Sequence, residues 1–117
     1  MRSFIERLLF PNTVYDENHS TLFTRKIHTG MIYTMNVSDD LLQERGYLQR
    51  FSAYESLMKR FFGESELLLV TDTYQFDDYS KYVSSLFDAD KKARRREEEF
   101  PKDCQKAYDM GVRFAKS

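Results

Sequence analysis

The chain of 117 residues has no tryptophan, one cysteine, two prolines, two histidines and four glycines. A lone Cys104 excludes an internal disulfide and any cysteine-based zinc site, and it fits a reducing compartment such as the cytoplasm. Few glycines and prolines argue against a turn-rich all-β sandwich. Gly30, Gly46, Gly63 and Gly111 also stand too far apart for a dinucleotide or P-loop fingerprint. His19 and His28 lie in polar or turn segments, away from any serine or cysteine signature, so the expectation is surface histidines and no His-based catalysis or metal site. No run approaches the ~20 apolar residues of a membrane span. Glu6 and Arg7 interrupt the N-terminal apolar stretch where a signal peptide would be uninterrupted. A net charge of −1 gives no global pull toward nucleic acid or anionic lipid. No cofactor and no membrane partner are expected.

What remains is an apolar content of 41% with ten Phe and eight Tyr, enough for one core and one domain over residues 1–117. The pattern predicts an α+β domain: a small sheet of about three strands (22–27, 31–37 and 66–71), a long amphipathic helix over about 47–62, and C-terminal helices. Phe4, Ile5, Leu8 and Leu9 predict a short N-terminal helix that Pro11 ends. The first two strands flank His28-Thr29-Gly30 and read as a hairpin. Leu48, Phe51, Tyr54, Leu57 or Met58, and Phe61 return at helical spacing, with Gly46 separating a turn over 39–45 and Gly63 placed to close the C-terminus. Glu66-Leu-Leu-Leu-Val-Thr71 reads as an apolar strand, and pairing parallel to 31–37 would make the long helix a crossover. Tyr79, Tyr82, Val83, Leu86 and Phe87 predict a second amphipathic helix within 77–92, and Asp103 to Lys116 a last one.

Charge concentrates in two places. Between Glu64 and Asp90 seven acids stand against one base, Lys81. Asp72, Tyr74, Phe76, Asp77, Asp78, Tyr79 and Tyr82 together form the segment best suited to touch a partner: large amphipathic rings give contact area, and carboxylates steer a basic protein. The competing reading makes the rings core residues of the next helix and the aspartates its cap. Asp72 also ends an apolar strand, where ligands of open α/β sheets collect, so Asp72, Asp77 and Asp78 could instead converge on a divalent metal. Lys91 to Arg96 then carries five bases, of which Arg94, Arg95 and Arg96 could contact phosphate. Three glutamates follow at once. Pairing of Arg94 with Glu97 and Glu98, of Arg95 with Glu98 and Glu99, and of Arg96 with Glu99 favours a solvated helix face over nucleic-acid binding.

Gly30-Met-Ile-Tyr-Thr-Met35, Tyr47-Leu-Gln-Arg-Phe-Ser-Ala-Tyr54 through Phe61-Phe62, and Glu66-Leu-Leu-Leu-Val-Thr-Asp-Thr-Tyr74 follow one another in an order that resembles the uncharacterised bacterial family called domain of unknown function 3885. The resemblance covers residues 30 to 100 at most and consists of packing positions. It implies no catalytic residues and only a loose association with small accessory proteins of bacterial conflict loci. The function expected is a small cytoplasmic binding module, an inhibitor or immunity-type protein that occludes a basic partner. The alternative is a small metal-dependent or nucleic-acid-directed enzyme. A homodimer through Phe4, Leu8 and Leu9 or through Met110 and Phe114 is a further expectation.

Overall fold

In the computed structural model, which describes residues 2–116, the expected stripe of apolar residues closes helix α3 over Tyr47–Phe62. Gly46 starts it in the left-handed region at φ 67°, which separates it from the short helix α2, Asp39–Glu44. Gly63 ends it at φ 121°, a value that strains any residue with a Cβ. Strand β1, Thr29–Thr34, precedes α2, and strand β2, Ser65–Val70, follows α3. The two strands pair in parallel with Thr29 opposite Ser65 and Thr34 opposite Val70. Helix α1 (Arg2–Leu9), helix α4 (Ala89–Glu98) and helix α5 (Phe100–Lys116) complete an α+β chain.

Side chains of β1 alternate between the faces of the sheet. Met31 and Tyr33 turn to one face, where Ile5 and Leu9 of α1 meet Met58, Phe61 and Phe62 of α3, with Leu67 of β2 packed against them. Tyr33 stacks on Phe51 with ring centroids 4.1 Å apart. Gly30 turns to the other face, against α5: a Cβ there would lie 2.7 Å from Met110 Sδ and 3.0 Å from Phe114. Glu66 pairs with Arg113 of α5. The sheet is thus a two-strand layer with α1 and α3 on one side and α5 on the other.

Two expected elements are absent. Residues 22–27 form no strand, so the sheet has two strands where about three were expected. Thr29 already lies in the ladder with β2, which leaves no residues for a hairpin turn. The Leu22 N–H donates to Asn12 O instead, the Ile27 N–H donates to Phe62 O at 2.8 Å, and Phe23 packs edge-on against Phe62. Nor is there a helix over 77–92. A single 3₁₀ turn at Tyr79–Lys81 is followed by irregular chain, and α4 begins at Ala89 with Asp88 as its cap. An amphipathic helix draws most of its stability from packing its apolar face, and both faces of so narrow a sheet are occupied.

The molecule is long, 54 × 31 × 23 Å, with a radius of gyration of 17.6 Å where a compact chain of this length has about 13 Å. Its accessible surface is 8784 Å², about 2,000 Å² more than a compact monomer of 14.0 kDa exposes.

Candidate functional site: the strand ends and the aromatic loop

Both strands run out at the same end of the sheet, and the chain that leaves β2 turns sharply at Asp72, held at φ 52°. Aspartate tolerates this left-handed conformation better than most residues. The turn is fixed by the Asp72 N–H donating to Val37 O at 2.8 Å and the Thr73 N–H donating to Met35 O at 3.0 Å. It aims the Asp72 carboxylate at Lys92 of α4. Lys92 Nζ donates to Asp72 Oδ1 at 2.6 Å, to Asn36 O at 3.0 Å and to Thr73 O at 3.1 Å, which uses all three of its protons. The lysine is only 3% exposed. Its ammonium also stands 5.4 Å from the centre of the Phe87 ring.

Arg95, one turn on, donates to Asp103 of α5 at 2.5 Å, and Lys106 donates to the same carboxylate at 3.1 Å. Burial pushes the Asp103 carboxyl up, but hydrogen bonds and charge from Arg95 and Lys106 outweigh it and hold the group below its ordinary value. Arg96 lies over the Tyr74 ring, 4.8 Å from its centre. Arg94 is exposed. The intrahelical Arg–Glu pairs expected from the sequence do not form among the described residues; the carboxylate that engages the run is Asp103, on the next helix.

A cleft of ≈ 290 Å³ therefore opens at the strand ends between Thr34, Asp72, Tyr74, Arg95, Arg96 and Phe100. It joins one end of the expected acidic segment to the expected arginine run, although the two are twenty residues apart in sequence. The charges in it are largely spent on each other. The three aspartates do not converge. Asp72 serves Lys92, while Asp78 Oδ1 accepts from the Ser80 N–H at 3.0 Å and the Ser80 hydroxyl at 2.7 Å. The side-chain and then the backbone bond from Ser80 hold the Asp78 carboxyl below its usual value. Asp77 is exposed. Among the described residues no three His, Cys, Asp or Glu side chains are grouped to share a metal ion.

The rings of the loop answer the competing readings residue by residue. Phe76 stacks on Tyr82 at 4.1 Å and meets Tyr79 edge-on at 5.5 Å; Tyr79 meets Tyr74 at 5.8 Å and Phe87 at 6.1 Å. The Gln75 N–H donates to the Tyr79 hydroxyl at 2.9 Å. Tyr74, Phe76 and Tyr79 are half-buried in this small cluster, which is separate from the main core. Tyr82, 54% exposed, caps it from outside. Beyond it Val83 and Leu86 are exposed at 107% and 85%, and neither was among the expected contact residues. Their position on the presumed apolar stripe of a helix hid them; the Ser84-Ser85 pair between them was the sequence signal for a turn.

His19 and His28 lie away from the cleft, His28 against Phe114 and His19 with its carbonyl accepting from Arg60. No described helix is long and apolar enough to cross a membrane. No family model, curated protein or solved structure matches the chain, so the resemblance to domain of unknown function 3885 rests on the sequence pattern alone.

Proposed function

We propose that the protein is a binding module whose loop from Tyr74 to Phe87 occludes a basic protein partner, in the manner of an inhibitor or immunity-type protein. The observation that carries this reading is the apolar tip of Tyr82, Val83 and Leu86, held out from the body on its own cluster of rings. Large exposed apolar side chains on a supported loop give the dehydrated centre of an interface, and a surrounding ring of charge gives orientation and encounter rate. Asp77, Asp78, Asp88 and Asp90 surround this tip in sequence, with Lys81 as the one base from 76 to 90. A cytoplasmic setting fits the exposed, unpaired Cys104.

The enzyme alternative gains nothing comparable. Its three carboxylates have separate environments, and Arg95 is committed to Asp103.

The test is recovery of a partner from native lysate on immobilised protein, followed by titration of that partner in purified form. Charge reversal at the exposed Asp77 (Asp77→Lys) and polar replacement at Val83→Ser/Leu86→Ser should each weaken binding by about tenfold or more while leaving the fold intact. Equal affinity of both variants and wild type for the same partner sinks the reading.

A further inference from the structure

The ladder leaves one side of β1 unused. The Thr29 N–H donates to Glu64 O and the Met35 N–H donates to Val70 O, so in a parallel pair the odd-numbered residues of β1 face β2. The N–H and C=O groups of Gly30, Ile32 and Thr34 therefore point away from the sheet. None of them has a hydrogen-bond partner among the described residues. All three residues are exposed. For Gly30 this is decisive, because it has no side chain to expose and the direction of its missing Cβ is filled by Met110 and Phe114. What solvent reaches is its backbone edge. Ile32, 50% exposed, sits at the middle of that edge.

We infer that β1 pairs with β1 of a second copy of this chain, antiparallel about a two-fold axis at Ile32, to make a four-stranded sheet in the order β2-β1-β1-β2. The register follows from the positions of the free groups. Only an axis at Ile32 sets Ile32 against Ile32 and Gly30 against Thr34, so that every outward residue meets another outward residue. Three donors per chain then give six new hydrogen bonds, two from each facing pair. The two Ile32 side chains become neighbours on the α5 face, the face to which Gly30 also turns. A second copy is favoured over a foreign strand because the edge is complementary to itself under this axis, as a two-fold interface requires. Each chain as a whole exposes about 2,000 Å² beyond a compact monomer, and a standard interface covers about 800 Å² per partner. The acidic loop is not needed for this pairing, so dimerisation and partner binding are separable.

The test is mass by light scattering across a concentration series, with the full chain. Wild type should pass from 14.0 kDa to twice that mass as concentration rises. Ile32→Pro removes an outward N–H and leaves the ladder to β2 intact, so it should raise the dimer dissociation constant by about 100-fold or more. Ile32→Lys keeps the backbone and sets two like charges across the axis, and it decides the matter should the proline variant fail to fold. Hydrogen exchange should show the Gly30, Ile32 and Thr34 amides gaining protection with concentration. A wild-type monomer at all concentrations up to hundreds of micromolar, or a folded Ile32→Lys protein that dimerises as wild type does, overturns the inference.

Discussion

Replacing Lys92 with methionine is the most direct probe of how the candidate site is held together. The substitution keeps most of the side-chain volume and removes the ammonium that binds Asp72 Oδ1, Asn36 O and Thr73 O. Removing one partner of a buried pair costs about 3–5 kcal/mol, because the other charge is left without compensation. The lower end applies here: the Asp72 side chain is 17% exposed, and Lys91 Nζ stands 3.7 Å from Oδ2. A loss of about 3 kcal/mol is a large share of the ~5–15 kcal/mol that holds a domain together, and it corresponds to a fall in Tm of roughly 10–15 °C. The assay is urea unfolding followed by far-UV circular dichroism, with wild type and variant compared at equal slope. Asp72→Asn/Lys92→Met is the companion, since asparagine keeps the shape of the turn, tolerates φ 52° and leaves no uncompensated carboxylate. The double variant should be more stable than Lys92→Met alone by about 1–2 kcal/mol. A Lys92→Met protein within about 0.5 kcal/mol of wild type would behave like a surface substitution and refute the account of a lysine anchored by three acceptors.

Other consequences follow from single contacts. Gly30→Ala would set a Cβ 2.7 Å from Met110 Sδ and 3.0 Å from Phe114, so the Met110 side chain must move aside and Phe114 must give way; a loss of about 1–3 kcal/mol in chemical unfolding is expected. Burial raises the Asp103 carboxyl, but Arg95 and Lys106 hold it below the ordinary aspartate value of about 3.9. Its contribution is therefore fully present above that value and drains away as pH falls below it toward the folded pKa, the unfolded chain binding its proton first. Asp103→Asn should lower stability at neutral pH and flatten the loss as pH falls below the ordinary aspartate range in acid titration monitored by circular dichroism; an unchanged acid slope would count against the Arg95–Asp103 contact.

The parts of the fold legible in the sequence are those where an apolar period meets an apolar surface. Helix α3 begins and ends where Gly46 and Gly63 place it, because its stripe packs on Met31, Leu67 and the N-terminal helix. Strand β2 was legible from its unbroken leucines. The hairpin was misread because Thr21 to Ile27 has the residue types of a strand, and residue type says nothing of which backbone groups remain free to pair. Their partners are Asn12 O and Phe62 O, which no local pattern reveals. In helix α4 the helical spacing was legible but the partners of its charges were not. Ala89-Asp-Lys-Lys-Ala-Arg-Arg-Arg-Glu-Glu98 has no large apolar residue, and a helix polar all round must be held by something other than a stripe. That absence was the available sign that Lys92 and Arg95 are its anchors.

Those anchors bear on why the loop before α4 projects apolar side chains into solvent. Lys92 ties α4 to the strand ends through Asp72, and Arg95 ties it to α5 through Asp103, so the end of the loop is fixed by ion pairs in addition to the contacts of Lys92 with Phe87 and of Arg96 with Tyr74. The other end is fixed by the Asp72 turn. Between two fixed ends the rings from Tyr74 to Phe87 need only satisfy each other, and Val83 and Leu86 are left with no part in anchoring the segment. Apolar residues that a fold does not use for its own stability are free to be used on another molecule. On that reasoning Val83→Ser/Leu86→Ser should leave the unfolding midpoint within about 0.5 kcal/mol of wild type while partner binding falls. A destabilisation as large as that of Lys92→Met would place both side chains in the core of the solution structure and remove the case for a projecting tip.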